Sequence, residues 1–399
     1  MTQRAAIPDG PNAITPEWMQ RALAPKAGSD SPRIRDVVVE RLGSATNALG
    51  SLLRCHLTTA DGPAAPATVI VKLPTDDRTA FRFARWLSLH ERECMYYRRL
   101  APQARIRTPS LLYSAFDAAT HRFVLVLEDL RDMEVTSQVV GVAAGRAKLA
   151  VREIAGLHGQ FWGAVDHPSL AGCRDVHGPK YRRFLQIAYL VCLPLVLERF
   201  ADHIPARARR LAETLGPGVD AHYAAVSAAP ATVVHGDYRA ENMFFGPGDT
   251  DFAVIDWQGC GLGAGVHDVA YFLGTSVAID VRRRVEGEAL REYHDVLCRL
   301  GVTDFTFEDC WRSYRQNMLT ALVPCVLGCG GLDMKDQRLR DLAHAGLARI
   351  LTALEDLDTG EFLPARSAFP TAGNALSTLS RCAHGLYRFS RRLRTTAND

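Results

Sequence analysis

Residues Thr232–Phe245 read TVVHGDYRAENMFF: an apolar run ends on His235-Gly236-Asp237, Asn242 follows five residues past the acid, and a second apolar run begins. A buried strand has no place for a carboxylate, whereas strand tips are where polar groups gather in front of a rigid scaffold. The turn-rich GPGDTD separates Phe245 from Phe252, and FAVIDWQ then carries another apolar run to Asp256. Paired as a hairpin, the runs around Phe245 and Phe252 bring Asp237, Asn242 and Asp256 to one end. Two carboxylates and an amide oxygen suit a hard divalent ion such as Mg²⁺, which takes few protein ligands and completes its shell with substrate phosphates. A carboxylate kept off the metal can accept a proton from an attacking hydroxyl. That division makes Asp237 the base and Asn242 a metal ligand. Taken singly, each residue also has a structural reading, Asp237 as a turn cap and Asn242 as a bond to loop backbone.

The upstream half supplies a cation. Lys72 sits in VIVKLP, a strand pattern that is otherwise apolar, and a buried ammonium needs a partner. Glu93, on the helical stretch that follows, can be that partner and leave Lys72 to grip phosphates. The competing reading is a lysine that snorkels from a strand edge.

These residues need elements to hold them. Thr15-Pro16 opens a helix with a hydroxyl cap and a first-turn proline. RIRDVVVERL, SLLRCHLTTADG and ATVIVKLP read as strands. TAFRFARWLSLHERECMYYRRLA has apolar residues at helical spacing, and SLLYSAFDA and RFVLVLEDL read as two more strands. The rest is mostly helical, with strand character returning at 232–257. The boundary between the two parts is expected near Arg131, giving an N-terminal lobe of 1–130 and a helical C-terminal lobe of 131–399. At 399 residues, two lobes are the default.

Composition excludes several classes. The 47 basic and 44 acidic side chains leave a formal charge of +3, too little to draw nucleic acid. The arginines of YRFSRRLRTTAND read as a solvated tail. The 10 cysteines form no C-x-x-C pair, which points to a reducing cytosol and to neither a disulfide framework nor a zinc site. No apolar h-region opens the chain, so a cytoplasmic protein is expected. FLQIAYLVCLPLVL and MLTALVPCVLGCGGL are too short to span a bilayer and each contains a proline, so they read as buried core helices.

HGDYRAEN followed by IDWQ resembles the aminoglycoside-phosphotransferase-like kinases, and within them the ecdysteroid-kinase-like and acyl-CoA-dehydrogenase-associated phosphotransferases. Lys72 in VIVKLP, Glu93–Tyr97, Leu125–Leu130, LAVREIAGLHGQFWG and HDVAYFL support the resemblance, which spans about 30 to 275. It implies an α+β, bilobal protein-kinase-like fold with a small β-rich N-lobe and a larger helical C-lobe. It also implies ATP and Mg²⁺ as cofactors and a small-molecule alcohol as substrate. Asp237 matches the acid that deprotonates the acceptor, Asn242 and Asp256 the metal ligands, Lys72 the phosphate-gripping lysine and Glu93 its helix partner. Leu127, Glu128 and Leu130 match the hinge that binds adenine. One departure concerns the phosphate-covering turn, LGSATNALGS, which lacks G-x-G-x-x-G: Gly43, Ser44 and Asn47 are its candidates for phosphate contact.

Three rivals compete. QGCGLGAGVHDVAYF formally satisfies a dinucleotide fingerprint through Gly259, Gly261 and Ala264, which would suit an oxidoreductase, but the further strands that such a domain needs do not follow. His158, His235, His267, Asp268 and Asp256 could be assembled into a metal phosphohydrolase; His158 reads instead as a packing histidine. A nucleotide-binding pseudokinase is the non-enzyme alternative. Asp268 is expected to tie the Gly-rich loop to the catalytic loop through backbone amides, with Tyr238 and Arg239 bracing it. From residue 281 onward there are 17 basic against 15 acidic residues, so a polycationic acceptor finds no acidic pocket and a neutral or amphipathic alcohol is expected.

Overall fold

A computed structural model describes residues 5–27, 33–42, 49–60, 62–249, 251–331 and 336–364. The chain divides into two compact units, neither of which is one stretch of sequence. Unit 1 comprises residues 1–103, 107–132 and 255–258, and unit 2 the remainder.

Unit 1 is built on a five-stranded antiparallel sheet. Its strands are β1 (Ile34–Leu42), β2 (Gly50–Thr59), β3 (Gly62–Pro74), β4 (Leu111–Phe116) and β5 (Phe123–Glu128), in the order β1-β2-β3-β5-β4. Side chains alternate across a strand, so the apolar pattern sorts β3 into two faces. Val69, Val71 and Leu73 enter a core with Leu53, Cys55, Val124 and Val126, closed by Trp18, Met19 and Ala22 of α1 (Pro16–Ala27). Lys72, one residue out of phase, belongs to the opposite face, paired in register with Leu125. α2 (Arg78–Trp86) and α3 (Leu89–Met95) continue the unit. Asp77 starts α2 by accepting the backbone N–H groups of Thr79 and Ala80 at 2.8 and 2.7 Å.

Unit 2 is largely helical. It contains β6 (Glu134–Val135), α4 (Ala144–Gln160), α5 (Pro179–Arg199), α6 (Ala206–Leu215), α7 (Val219–Val226) and β7 (Ala231–Val234). There follow β8 (Met243–Phe245), β9 (Phe252–Val254), β10 (Gly261–Ala264), α8 (Val266–Thr275), α9 (Ile279–Arg299), α10 (Phe307–Gly331) and α11 (Gln337–Asp356). β8 and β9 form the expected hairpin with Phe245 opposite Phe252, and β6 adds to its edge. β7 pairs antiparallel with β10. That pairing overturns the dinucleotide reading: Gly261 and Ala264 lie in a two-stranded antiparallel ribbon, not at the tip of a parallel sheet. The two greasy segments are α5 and α10, each with an internal proline and a largely buried face. No helix among the described residues is long and apolar enough to cross a membrane. The described cysteines carry no disulfide. The basic tail lies outside the described residues.

Candidate active site

The chemistry-bearing residues fall into two sets, one in each unit. In unit 1, Lys72 Nζ lies 2.8 Å from Glu93 and 2.6 Å from Asp256 Oδ1. Glu93 is almost fully buried, with 1% exposure. Burial works against the Lys72 charge, but Asp256 and Glu93 together more than offset it and hold the lysine protonated, its pKa raised. Burial also pushes Glu93 up to about 7, against the pull of Lys72. The snorkelling reading of Lys72 is thereby excluded.

Asp256 is fixed from several sides. Its neighbour Trp257 is fully buried and stacks on Tyr96 with ring centroids 3.6 Å apart. Gln258 Nε2 donates to Asp256 Oδ2 at 3.1 Å. Asp256 itself has φ +66°, a left-handed conformation that costs a non-glycine residue about 1–3 kcal/mol and that recurs at functional positions.

Of the residues expected at the hinge, Leu127 and Glu128 end β5 opposite Ile70 and Val69. Glu128 donates its N–H to Ser110 O at 3.0 Å, and its carboxylate accepts from Ser110 N–H and from Arg107. Its own amide is therefore committed within the sheet. Leu130 is buried. Gly43, Ser44 and Asn47 lie outside the described residues.

In unit 2, β7 delivers His235-Gly236-Asp237. Gly236 has φ +80°, and a Cβ there would collide with the carbonyl oxygen of Gly259, so the turn demands glycine. Asn242 donates Nδ2 to the Asp237 carbonyl at 2.9 Å and to Asp237 Oδ2 at 3.1 Å. Arg239 Nε donates to Asp237 Oδ2 at 3.2 Å, and its NH1 bonds Glu241 at 2.6 Å and Gln138 at 3.2 Å. Tyr238 braces the loop from below, its hydroxyl donating to Ala150 O at 2.7 Å.

The loop hangs on Asp268, which is fully buried. Its carboxylate accepts the N–H of His235 at 2.6 Å and of Gly236 at 3.0 Å, as the sequence led us to expect. It also faces His158 Nε2 at 3.3 Å, while His158 Nδ1 meets the Tyr293 hydroxyl at 2.9 Å. Burial opposes the Asp268 charge, yet the His158 bond and the surrounding imidazoles lower its pKa. His158 is thus a satisfied core histidine. Among the described residues, no group of three His, Cys, Asp or Glu side chains is arranged to hold a metal, and two of the side chains the phosphohydrolase reading drew on, His158 and Asp268, face each other.

Sequence reasoning missed two supports. Tyr271 bonds Asp237 through its hydroxyl, and burial raises its pKa first, with the Asp237 charge adding to the shift. The signal was available: Tyr271 follows Asp268 by three residues on α8, and so shares its face. The other support, Gln138, carried no signal. It is placed by Arg349, a buried guanidinium that donates to the carbonyls of Gln138, of Val139 at 2.9 Å and of Thr275 at 3.2 Å.

The ecdysteroid kinase-like family model matches residues 44–301, well over half of the chain. The chain belongs to that family. Its members are small-molecule kinases with a protein-kinase-like fold. Two solved structures share that fold. A Ralstonia eutropha structure assigned to the aminoglycoside phosphotransferases is 15% identical with a TM-score of 0.50, covering 88% of this chain and 98% of its own. Choline kinase from Cryptosporidium parvum is 8% identical with a TM-score of 0.52, covering 82% and 92%. The fold is thus α+β and protein-kinase-like, with a β-sheet N-terminal region and a helical C-terminal part. Comparison with curated proteins finds no match.

Proposed function

We propose that this family member is an ATP- and Mg²⁺-dependent phosphotransferase acting on a hydroxyl of a neutral or amphipathic small molecule. The observation that carries the reading is Lys72, an ammonium held in a fixed place between Glu93 and Asp256. A cation so buried and so constrained in a strand suits the grip on nucleotide phosphates, since phosphoryl transfer depends on positioning and charge neutralisation.

Asp237 then serves as the base. Its Oδ2 is oriented by Arg239 and Asn242, and the side chain remains about one-third exposed, so a substrate hydroxyl can reach it. The oxygen donors Asn242 Oδ1 and Asp256 are the hard type that Mg²⁺ takes, and the commitment of the Asn242 nitrogen to Asp237 leaves the right atom for it. When bound, the ion supplies charge neutralisation at the phosphates. The backbone of Leu127–Leu130 is the proposed adenine contact. For the acceptor, support comes from the near balance of charge beyond residue 281 and from the apolar α10.

The test is turnover. Screened for ADP release against a metabolite library, the wild type is expected to turn over with at least one neutral alcohol. Asp237→Asn is expected to lose that activity while still binding ATP by titration calorimetry. Equal activity in the two proteins removes Asp237 as base, and stabilisation of the ATP-bound chain by polyamines and aminoglycosides alone removes the neutral-acceptor assignment.

A further inference from the structure

Beside the Asp237 loop, unit 2 buries a seam of aromatic and polar side chains that the proposed chemistry leaves unused. Tyr271, bonded to Asp237, stacks on His267 with centroids 6.3 Å apart. His267 meets His177 edge-on at 5.2 Å, and His177 meets Tyr223 edge-on at 4.7 Å. His222 and Thr320 close the far side through a 3.0 Å bond, and Tyr223 donates to Thr320 O at 3.2 Å. Burial lowers the pKa of His177, His222 and His267, so the seam is polar but uncharged.

Within it, His177 Nδ1 is buried and has no hydrogen-bond partner among the described residues, in a side chain only 4% exposed. Its position is not loose. Its own N–H is tied to Asp175 Oδ1 at 2.7 Å, and the preceding Val176 N–H to Leu262 O at 2.9 Å. A buried ring nitrogen without a partner costs roughly 1–3 kcal/mol, a cost that a bound group can relieve. Two carboxylates beside this seam are already committed, Asp268 to two backbone amides and His158, and Asp175 Oδ1 to the His177 N–H.

We infer that His177 is a specificity-determining residue, its Nδ1 bonding a second, uncharged polar group of the acceptor whose reacting hydroxyl sits at Asp237. The inference rests on the kinase reading above. It assigns the acceptor at least two oxygen functions, separated by about the span of the His267 and Tyr271 rings, and no cationic group at the far end.

The test measures ADP release with 1,2-propanediol, xylitol and estriol against ethanolamine and kanamycin, alongside ATP binding by calorimetry. His177→Phe keeps the ring volume and removes the nitrogen; His177→Asn restores an acceptor at nearly the same place. Expected is a neutral acceptor whose KM rises about ten-fold in His177→Phe and partly recovers in His177→Asn, with kcat and ATP affinity unchanged. Unchanged KM in a His177→Phe protein of equal or higher melting temperature overturns the inference and leaves His177 as packing or a water site. Turnover of the two amines alone also overturns it. A wild type that neither binds ATP nor releases ADP overturns the kinase reading, and this inference with it.

Discussion

Asp268→Asn is the sharpest test of how the Asp237 loop is held, because the substitution changes one atom. In the wild type, Oδ2 accepts the His235 N–H and faces His158 Nε2, and Oδ1 accepts the Gly236 N–H. Asparagine keeps one acceptor and turns the other into a donor. If the new NH₂ takes the Oδ2 position, His158 can adapt by changing tautomer, giving its proton to the Tyr293 oxygen. The His235 amide cannot adapt. If the NH₂ takes the Oδ1 position, it confronts the Gly236 amide. One buried N–H loses its acceptor either way, at roughly 1–3 kcal/mol, and the surviving bonds lose their charge assistance. We expect a total loss of about 2–4 kcal/mol, or roughly 5–15 °C in melting temperature for a unit of this size. The accompanying signature is faster hydrogen exchange at the amides of residues 235 and 236, measured by NMR. A variant that melts within about 1 °C of the wild type, with unchanged exchange at both amides, refutes the reasoning.

Gly236→Ala places a Cβ against the Gly259 carbonyl at φ +80°, so it is expected to cost at least 2 kcal/mol or so and to lower ADP release without changing ATP affinity; wild-type melting and turnover would contradict this. Burial lowers the pKa of His222 from 6.5 to about 4. The unfolded chain takes up its proton first as the pH falls, so stability drops from pH 6.5 towards 4, by roughly 3 kcal/mol over the whole window. His222→Gln should flatten that part of the pH–stability curve in urea titrations, and parallel curves for the two proteins would rule it out. Lys72→Met leaves two carboxylates without their cation; Glu93, already at about 7, should protonate, and ATP affinity should fall at least ten-fold by calorimetry, while unaltered affinity would argue against a phosphate role.

Local pattern revealed much of the fold. The five strands of unit 1 were legible because each alternates or runs apolar between turn residues, whereas the face that Lys72 takes, out of phase with Val71 and Leu73, comes from the sheet itself. The hairpin at Phe245 and Phe252 was legible from the turn formers between its strands. β6 and β10 were not, since two and four residues of ordinary composition carry no period, and Gly261–Ala264 looked more like a phosphate loop than a strand. Its identity as a strand comes from β7, which lies about thirty residues away in sequence and offers it a register.

The site divides along the same line. An acid at a strand tip announces itself because the apolar run before it has no use for one, and so Asp237, Asp256 and the lone Lys72 stood out. What holds each of them is written in distant residues whose types are unremarkable alone. Tyr96 reads as one more core aromatic until Trp257 stacks on it, and Gln138 reads as loop until the Arg349 guanidinium takes the carbonyls around it. The residues with a chemical task must differ from their neighbours in the chain, which makes them visible; the residues that position them need only differ from solvent, which does not. Asp268 is the instructive exception. Its task is structural, yet an acid on a short apolar helix after a glycine run is as conspicuous as a catalytic one, because burying a carboxylate is costly unless several donors repay it. Its three partners are those donors, and a buried acid in such a helix elsewhere is reason to look for a nearby backbone turn that needs holding.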